Sequence, residues 1–302
     1  MERVRPPITK AGFAAIVGLP NVGKSTLVNR LTDTKLSIVS PKAQTTRNTV
    51  SVILTLPNAQ IIFQDTPGFH EATTALNQAF VESVLKTIKM TDIVVFVIDP
   101  TTKKSNHGEE IERLAVQSGK PIILVINKID ALDKKVAEDL VSKRLSNKRF
   151  SSVLGISALT GYNCDLLINE VIELLPKGPY LFGEDDLSDM PERFFATELI
   201  REQILNLLVQ EVPHKTAVTI ETFKEIENRV LIQANIHVER DSQKKILIGK
   251  GGNMIKNIGT AARQRIEEFL ERSVRLELFV KVSPNWTRST NKLKEFGYLD
   301  SR

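Results

Sequence analysis

The sequence contains one cysteine, Cys164, and one tryptophan among its 302 residues. A single cysteine excludes an internal disulfide framework, which is typical of a reducing compartment. No run approaches the roughly eighteen apolar residues of a membrane-spanning helix. No apolar segment follows the basic residues within residues 1–12, as it would in a signal peptide. The four histidines lack the spacing of a metal site or a catalytic triad. We therefore expect a cytoplasmic protein without a signal peptide.

Composition and charge set only broad limits. The chain is 41% apolar and 25% charged, as ordinary globular proteins are, and it is long enough for two domains. Its net charge of +5 permits an anionic partner but does not identify one. Charge is more informative locally, because residues 240–265 carry seven Lys and Arg against Asp241 alone, whereas residues 184–192 are acidic.

A stretch near the N-terminus has the pattern of a phosphate-binding loop. The pattern G-x-x-x-x-G-K-[ST] is matched by Gly18, Leu19, Pro20, Asn21, Val22, Gly23, Lys24 and Ser25, with Thr26 following. An apolar run at 13–17 predicts a strand before it, and residues 26–31 predict a helix after it. The glycines let backbone N–H groups face phosphates at the helix N-terminus. Lys24 would reach the terminal phosphates, and the Ser25 hydroxyl would bind Mg²⁺.

Three further motifs follow apolar runs. They are Asp65, Thr66, Pro67, Gly68 and Phe69; Asn127, Lys128, Ile129 and Asp130; and Ser157, Ala158 and Leu159, and we expect all of these residues to line the nucleotide. We expect Asp65 to hold Mg²⁺ through water and the Gly68 N–H to meet the terminal phosphate. Each motif is weak alone, but four in this order, each after a predicted strand, indicate a GTP site.

The second of these motifs predicts the base. The Asp130 carboxylate can accept hydrogen bonds from guanine N1–H and the 2-amino group, which adenine does not offer in that arrangement, so the site would reject adenine. The Lys128 stem can lie along the base, and Asn127 can tie this loop to the phosphate loop. The Ala158 N–H can donate to the guanine carbonyl.

Catalytic residues are expected near the phosphates. A threonine from residues 37–48 should complete the Mg²⁺ shell in the triphosphate state, with Thr46 favoured and Thr45 the alternative. Phe69 stands where many signalling GTPases place the glutamine that orients the attacking water. We therefore expect slow intrinsic hydrolysis, with Lys24, Thr46 and Gly68 contributing to catalysis.

The wider pattern predicts two domains. Apolar runs at 13–17, 50–56, 60–64, 93–98, 122–126 and 153–156 alternate with helical stretches, which is typical of a doubly wound, mostly parallel α/β sheet. One such helical face is Leu76, Phe80, Val84 and Ile88. We predict a GTP-binding domain at 1–178, a linker at 179–192 and an RNA-binding domain at 193–302.

The last of these segments predicts a smaller α+β domain, with a helix at 193–209, strands at 217–223, 230–238 and 274–282, and a glycine-rich loop between two helices. The order indicates a type II KH domain, whose loop admits an RNA backbone. The predicted RNA contacts are Ile248, Gly249, Lys250, Gly251, Gly252, Ile255, Lys256, Ile258 and Arg263, with Ile255 and Ile258 as an apolar floor for bases. Trp286 is expected to pack within the domain in preference to stacking on a base.

A GTPase domain joined to such a KH domain resembles the bacterial Era family of translation-factor-related GTPases. The resemblance extends from about Gly12 to the C-terminus and includes Arg193-Phe194-Phe195-Ala196 and Gly297-Tyr298. It implies a ribosome-assembly factor that binds GTP, GDP and Mg²⁺ and, through its KH domain, the 3′ end region of small-subunit rRNA on the 30S subunit. In related GTPases an asparagine matching Asn21 helps to bind a catalytic K⁺. The resemblance also implies a monomer, loose peripheral association with the inner membrane, and hydrolysis stimulated by RNA.

Two alternatives stay open at this stage. One is an RNA chaperone for which GTP is only a ligand. The other is a signalling GTPase that acts on a protein partner at a membrane and uses residues 190–302 as an interaction module. The glycine-rich loop and its basic surroundings argue against the second alternative.

Overall fold

The computed structural model describes residues 9–40, 42, 45–69, 73–102, 105–208 and 212–299. The chain forms two compact units, and the main division falls between Asp189 and Met190. The described residues of 38–45 and 72–79 group with the second unit. Each unit has its own sheet and its own hydrophobic core.

The first unit is built on a six-stranded sheet in the order β2-β3-β1-β4-β5-β6. Its strands are β1 (Lys10–Gly18), β2 (Val50–Leu56), β3 (Ala59–Asp65), β4 (Ile93–Ile98), β5 (Ile122–Ile126) and β6 (Ser152–Gly155). All neighbouring strands are parallel except the β2–β3 pair. Continuous burial of the central strands explains why their sequences are unbroken apolar runs. The predicted doubly wound α/β sheet is confirmed.

Five helices accompany this sheet in the described part of the chain. They are α1 (Lys24–Thr32), α2 (Ala75–Met90), α3 (Asn106–Gln117), α4 (Lys134–Leu145) and α5 (Cys164–Leu174). The predicted face of α2 is buried, since Leu76, Phe80, Val84 and Ile88 are each at most 3% exposed. Val84 and Ile88 belong to the core of the first unit, and burial of such a stripe holds an amphipathic helix on its sheet.

The strand order places the motif loops together. β1 lies between β3 and β4. The chain adds β2 and β3 on one side of β1 and then crosses to add β4, β5 and β6 on the other side. A crevice forms beyond the carboxyl ends of strands at such a point, and it is where α/β sheets bind ligands. The loops after β1, β3, β5 and β6 carry the four predicted motifs, so all four open at this edge.

The predicted linker differs from the structure, because much of it is attached to the first unit. The Ile53 N–H donates to the Leu187 carbonyl at 2.9 Å, and the Gln60 side chain accepts from the Leu181 N–H at 2.7 Å. Gln60 is completely buried. The Ile53 contact covers the outer strand β2, whose backbone groups would otherwise be open to pairing, and the Gln60 contact joins the segment to β3. Residues 181–188 therefore extend the first unit instead of forming a free linker.

The second unit is a three-stranded sheet with helices. Its elements are α6 (Glu192–Leu207), β7 (Ala217–Ile226), β8 (Arg229–Val238), α7 (Asp241–Ile248), α8 (Asn253–Leu270), β9 (Ser273–Val282) and α9 (Thr290–Glu295). β7 and β8 are antiparallel, whereas β8 and β9 are parallel. The predicted helix, strand, strand, helix, loop, helix, strand order of a type II KH domain is confirmed.

Trp286 lies in the interior of the second unit. It is 0% exposed, its Nε1–H donates to the Lys215 carbonyl at 3.0 Å, and its ring packs against Phe296 and Tyr298. The hydrogen bond satisfies the one polar atom of a buried indole. The prediction that Trp286 packs within its own domain is confirmed.

Across the described ranges, no helix combines the length and the apolar character that a transmembrane span requires.

Candidate functional site

The phosphate loop connects β1 to α1, and α1 begins at Lys24. Gly23 has φ of +97°, and a Cβ placed on it would lie 2.4 Å from the Asn127 side-chain nitrogen. Only glycine meets both conditions, because other residues rarely adopt this φ and would collide with Asn127. The loop therefore closes tightly over the start of α1, whose first N–H groups face the crevice.

Lys24 is held inside this loop. Its side chain is buried, and its ammonium group donates to the carbonyls of Gly18 at 3.2 Å and Leu19 at 2.9 Å. Burial lowers the Lys24 pKa to about 8, although the charge of Asp65 opposes the shift. A desolvated ammonium gains strongly from a phosphate, since charge interactions are less screened there.

Three oxygen-bearing side chains meet beside Lys24. The Ser25 hydroxyl lies 2.9 Å from the Thr46 hydroxyl, which lies 3.4 Å from Asp65 Oδ2. Asp65 is 0% exposed, and its Oδ1 atom has no hydrogen-bond partner among the described residues. Burial raises the Asp65 pKa, and the charge of Lys24 and the hydroxyls of Ser25, Ser37 and Thr46 oppose that shift. A buried carboxylate oxygen without a partner fits the oxygen-donor set of Mg²⁺.

The neighbouring threonine is differently placed. The Thr45 hydroxyl donates to the Lys42 carbonyl at 2.6 Å. Thr46, in contrast, is 7% exposed and contacts both predicted Mg²⁺ residues. The geometry therefore supports Thr46 over Thr45 as the residue of this loop that serves the metal.

The loop after β3 closes against the phosphate loop. The Thr66 hydroxyl donates to the Ile16 carbonyl at 2.8 Å, and the Phe69 N–H donates to the Gly18 carbonyl at 3.1 Å. A Cβ on Gly68 would lie 2.8 Å from the Pro20 Cα, so glycine allows the two loops to touch. Phe69 is only 3% exposed and belongs to the core, where it cannot position a water molecule.

Asn127 joins three loops. It is 2% exposed, its amide nitrogen donates to the Val22 carbonyl at 2.8 Å, and its oxygen accepts from the Ala158 N–H at 2.9 Å. The predicted tie to the phosphate loop is present. The Ala158 N–H, which the sequence predicts to donate to the guanine carbonyl, donates to the Asn127 oxygen here. Asp130 is exposed at the same edge, and Leu159 is 70% exposed.

The predicted RNA loop joins α7 to α8. Gly249 has φ of +75°, and a Cβ on it would lie 2.7 Å from the Met254 Cβ. Lys250, Gly251 and Lys256 are exposed, whereas Arg263 pairs with Glu267 at 2.8 Å. The loop therefore presents backbone and positive charge to solvent at the start of a long helix.

One predicted RNA contact is wrong. Ile258 is 0% exposed and lies in the core cluster of the second unit, so it cannot serve as a floor for bases. Ile255 is only partly buried against that core. The helical period places both isoleucines on one apolar face. They lie one turn apart on α8, and the period alone does not show which of them reaches the core.

Comparison with known proteins agrees with both sites. Residues 13–128 match the family model described as 50S ribosome-binding GTPase, and residues 211–287 match the KH domain model. The chain is 45% identical to GTPase Era of Geotalea daltonii over 95% of its own length and 97% of the relative. It is also 45% identical to GTPase Era of a Nostoc species, over 97% of this chain and 91% of the relative. The chain belongs to the GTPase Era family.

Solved Era structures have the same fold. A crystal structure of Era in complex with MgGDPNP and nucleotides 1506–1542 of 16S ribosomal RNA is 42% identical and superposes with a TM-score of 0.92, covering 96% of this chain and 99% of that one. A variant of Aquifex aeolicus Era bound to GDP·AlF4⁻ superposes with a TM-score of 0.91 at the same identity, covering 96% of this chain and 99% of that one. The sequence-based prediction of a GTPase of this family is therefore confirmed.

Sequence reasoning missed a carboxylate that supports the guanine loop of this Era-family chain. Asp99 directly follows β4 and is 6% exposed, and its Oδ2 lies 2.6 Å from the Lys128 ammonium. The same ammonium donates to the Asn21 carbonyl at 2.7 Å. Burial opposes ionisation of Asp99, but hydrogen bonds from Lys128 and Thr101 hold its pKa below the usual value. Its position at a strand end was the available signal.

Arg30 is a second residue that sequence reasoning missed. It lies on α1, and its guanidinium donates to the Leu159 carbonyl at 2.8 Å and to the Ala158 carbonyl at 3.3 Å. It thus connects the helix of the phosphate loop to the loop after β6. No sequence signal marks this contact, because the two segments are 128 residues apart and an arginine on a helix is usually solvated.

Proposed function

We propose that this chain is a Mg²⁺-dependent GTPase that binds the 3′ end region of small-subunit rRNA through its KH domain and acts in assembly of the 30S subunit. The observation that carries the proposal is the presence of both sites in one chain. Asp65, Ser25 and Thr46 form an oxygen cluster beside Lys24, and the second unit presents the glycine loop at 249–252 with Lys250 and Gly251 exposed.

The nucleotide contacts follow from the loops at the sheet edge. Residues 18–26 would surround the phosphates, with Lys24 at the terminal ones and the Gly68 N–H close by. Asp130 is exposed and would read the guanine N1–H and 2-amino group. Lys128, held by Asp99 and the Asn21 carbonyl, would cover the base. Residues 157–159 would form the remaining wall, provided that Ala158 exchanges its partner from Asn127 to the base.

Magnesium would be held by Ser25 and Thr46 directly and by Asp65 through water. When bound, the ion supplies positive charge to the phosphate oxygens on which charge develops during hydrolysis. The protein's own part is to place Lys24 against the same oxygens. Lys24 is already fixed by two loop carbonyls, so little reorganisation of this side chain is needed when nucleotide binds.

Phe69 leaves the attacking water without a side-chain partner at that position, because it is buried in the core. We infer that additional positive charge comes from a K⁺ ion near Asn21. Asn21 has φ of +62°, and its carbonyl is engaged by Lys128, which leaves its side-chain oxygen as the candidate ligand. K⁺ would act as an arginine finger does, by electrostatic stabilisation of the transition state.

On the RNA side, the Era complex with 16S ribosomal RNA nucleotides supports the partner, and the exposed Lys250 and Lys256 support phosphate contacts. GTP-bound protein would bind RNA more tightly, and thermodynamic linkage then requires bound RNA to tighten GTP by the same factor. A monomeric state and loose peripheral association with a membrane stay predictions of the family resemblance.

The test is GTP hydrolysis with and without a single-stranded RNA that copies the 3′ end of small-subunit rRNA. Gly251→Asp places a negative charge in the loop, and Gly251→Asn is the matched neutral control. Both side chains tolerate φ of +61°, and a Cβ there meets no atom within 4 Å. We expect RNA to stimulate the wild type and Gly251→Asn, and Gly251→Asp to lose both binding and stimulation.

Two results would overturn the proposal. RNA binding without any effect on hydrolysis would favour an RNA chaperone that uses GTP only as a ligand. Absence of RNA binding by the wild type would favour a signalling GTPase whose second unit binds a protein.

A further inference from the structure

We propose that the first unit carries a second RNA-binding surface, formed by Lys143, Arg144, Lys148 and Arg149, which contacts the phosphates of double-stranded RNA. This group is called the α4 basic cluster below. The inference rests on the proposed function in taking RNA as the partner, but it concerns residues outside the nucleotide site and outside the KH loop.

The cluster is a local concentration of one sign of charge. Residues 140–164 contain these four cations and no aspartate or glutamate. The net charge of the whole chain is only +5, so a region of this kind differs strongly from the average surface. Local patches of one sign, more than net charge, attract polyanions.

The cluster is displayed on an ordered turn. The Asn147 N–H donates to the Arg144 carbonyl at 3.0 Å, and the Asn147 side-chain oxygen accepts from the Arg149 N–H at 3.2 Å. Phe150, which follows the turn, is 8% exposed and packs in the core of the first unit. The backbone that carries the cations is therefore fixed before any partner arrives, which reduces the entropy lost on binding.

The charges are available to a partner. Lys143, Lys148 and Arg149 are exposed, and none of them forms an ion pair with a residue that the structure describes. Arg144 alone is paired, with Glu112 of α3 at 3.6 Å. Most of the positive charge of the cluster is thus uncompensated.

Stabilisation of the helix accounts for only part of this pattern. Cations in the last turn of a helix interact favourably with its dipole, and Lys143 and Arg144 occupy the last turn of α4. Lys148 and Arg149 lie beyond the helix end, where the dipole effect has fallen off. Their position is explained better by a ligand than by the helix.

The surroundings favour phosphates of a duplex as that ligand. No aromatic side chain is exposed between residues 140 and 150, so the cluster offers no platform on which single-stranded bases could stack. A groove of about 1010 Å³ lies between α3 and α4, and Lys143, Arg144 and Arg149 of the α4 basic cluster line it together with Glu109 and Glu112. The two carboxylates would repel phosphates from the interior of the groove, so the RNA backbone would lie across its rim, at the turn that carries Lys148 and Arg149.

The test measures binding of the full chain to a blunt-ended RNA duplex of about two helical turns at several salt concentrations. Lys148→Gln/Arg149→Gln removes two charges from the cluster. Lys134→Gln/Lys135→Gln removes two exposed charges from the first turn of the same helix and serves as the matched control. We expect the first pair to lower the slope of log affinity against log salt by about 2 and to weaken binding about tenfold at low salt. The control pair should leave both unchanged.

Further arms separate this proposal from the proposed function. Gly251→Asp should leave duplex binding intact while it abolishes binding of the single-stranded RNA. Basal GTP hydrolysis should be equal in both double variants, which establishes that they are folded. Equal slopes in the two double variants would overturn the proposal. Loss of binding to vesicles of anionic phospholipid, with duplex binding unchanged, would also overturn it and assign the cluster to a membrane surface.

Discussion

The hydroxyl of Ser25 lies 2.9 Å from the hydroxyl of Thr46, although the two residues belong to different loops. Ser25 lies in the first turn of the helix after the phosphate loop, and Thr46 comes from the segment that precedes β2. Their contact, with Asp65 on the other side of Thr46, brings the proposed Mg²⁺ donors of three chain segments together.

This geometry predicts a graded response to substitution of Thr46. Thr46→Ala should raise the Mg²⁺ concentration needed for half-maximal GTP hydrolysis roughly tenfold, because an oxygen donor is lost. Thr46→Ser keeps the hydroxyl and should stay close to the wild type. Thr45→Ala removes a hydroxyl that donates to the Lys42 carbonyl, and it should have little effect on the Mg²⁺ requirement. A larger effect for Thr45→Ala than for Thr46→Ala would show that our proposal assigns the Mg²⁺ contact to the wrong threonine.

The second prediction concerns K⁺. Hydrolysis by the wild type should be faster in KCl than in NaCl at equal ionic strength. Asn21→Gly should remove most of that difference, because glycine tolerates φ of +62° and lacks the side-chain oxygen. Turnover should be measured at saturating GTP, so that weaker nucleotide binding does not imitate the effect. Equal rates of the wild type in the two salts would rule out the K⁺ role.

The third prediction is that glutamine at position 69 does not restore fast hydrolysis. Phe69 is 3% exposed in the core, so Phe69→Gln would bury an amide without directing it at the phosphates. We expect no gain in single-turnover rate and a loss of stability on the order of 3 kcal/mol in urea unfolding. Phe69→Leu, which keeps the site apolar, should lose less. A rate increase in Phe69→Gln would contradict the placement of this residue.

The fourth prediction tests Arg30 as a positioning residue. Arg30→Ala removes both donors to the carbonyls of Ala158 and Leu159, so the loop beside the base should be held less firmly. We expect KM for GTP to rise about tenfold and the preference for GTP over ATP to fall, with kcat nearly unchanged. Arg30→Lys, which keeps one donor group, should recover part of the affinity. A change in kcat alone would place Arg30 in a different role.

The fifth prediction is a pH dependence of stability in the second unit. His237 lies between the Thr219 hydroxyl at 2.9 Å and the Ser283 hydroxyl at 3.0 Å, and its ring packs on Phe296. Burial lowers its pKa to about 4 from 6.5, assisted by the charges of Lys281 and Lys292 and opposed by Glu295 and Glu221. The unfolded chain therefore binds a proton at a higher pH than the folded chain does. Stability from this group is fully present above pH 6.5 and is lost as the pH falls toward 4, by about 3 kcal/mol in total.

The measurement is urea unfolding followed by fluorescence of Trp286, which is the sole tryptophan and is buried in the same unit. His237→Gln keeps a polar side chain that does not titrate, so its stability should change less between pH 7 and pH 4.5. Parallel pH profiles for the two proteins would mean that His237 does not carry the effect.

Much of the fold was accessible from the sequence. The apolar runs at 93–98 and 122–126 coincide with β4 and β5, because strands covered on both faces need uninterrupted apolar residues. The four loop motifs could also be predicted from the sequence, because contacts with a nucleotide require particular residue types at a fixed spacing. Their order along the chain then predicted a common edge of the sheet.

Other features required the tertiary structure. The acidic composition of residues 181–188 predicts a linker, yet this segment covers β2 and contacts β3. Hydrogen bonds between groups far apart in the chain leave no mark on composition. Ile255 and Ile258 are equivalent as sequence, and only the packing of α8 placed the latter in the core.

The amino-acid sequence alone thus determined where the strands, helices and phosphate loop lie, because each of these depends on interactions between residues close together in the chain. Only the tertiary structure decided that Asp99 supports Lys128, that Arg30 supports residues 158 and 159, and that Thr46 and not Thr45 joins Ser25. These are contacts between residues far apart in sequence. Their geometry depends on how the whole sheet and its helices pack, and no short pattern encodes it.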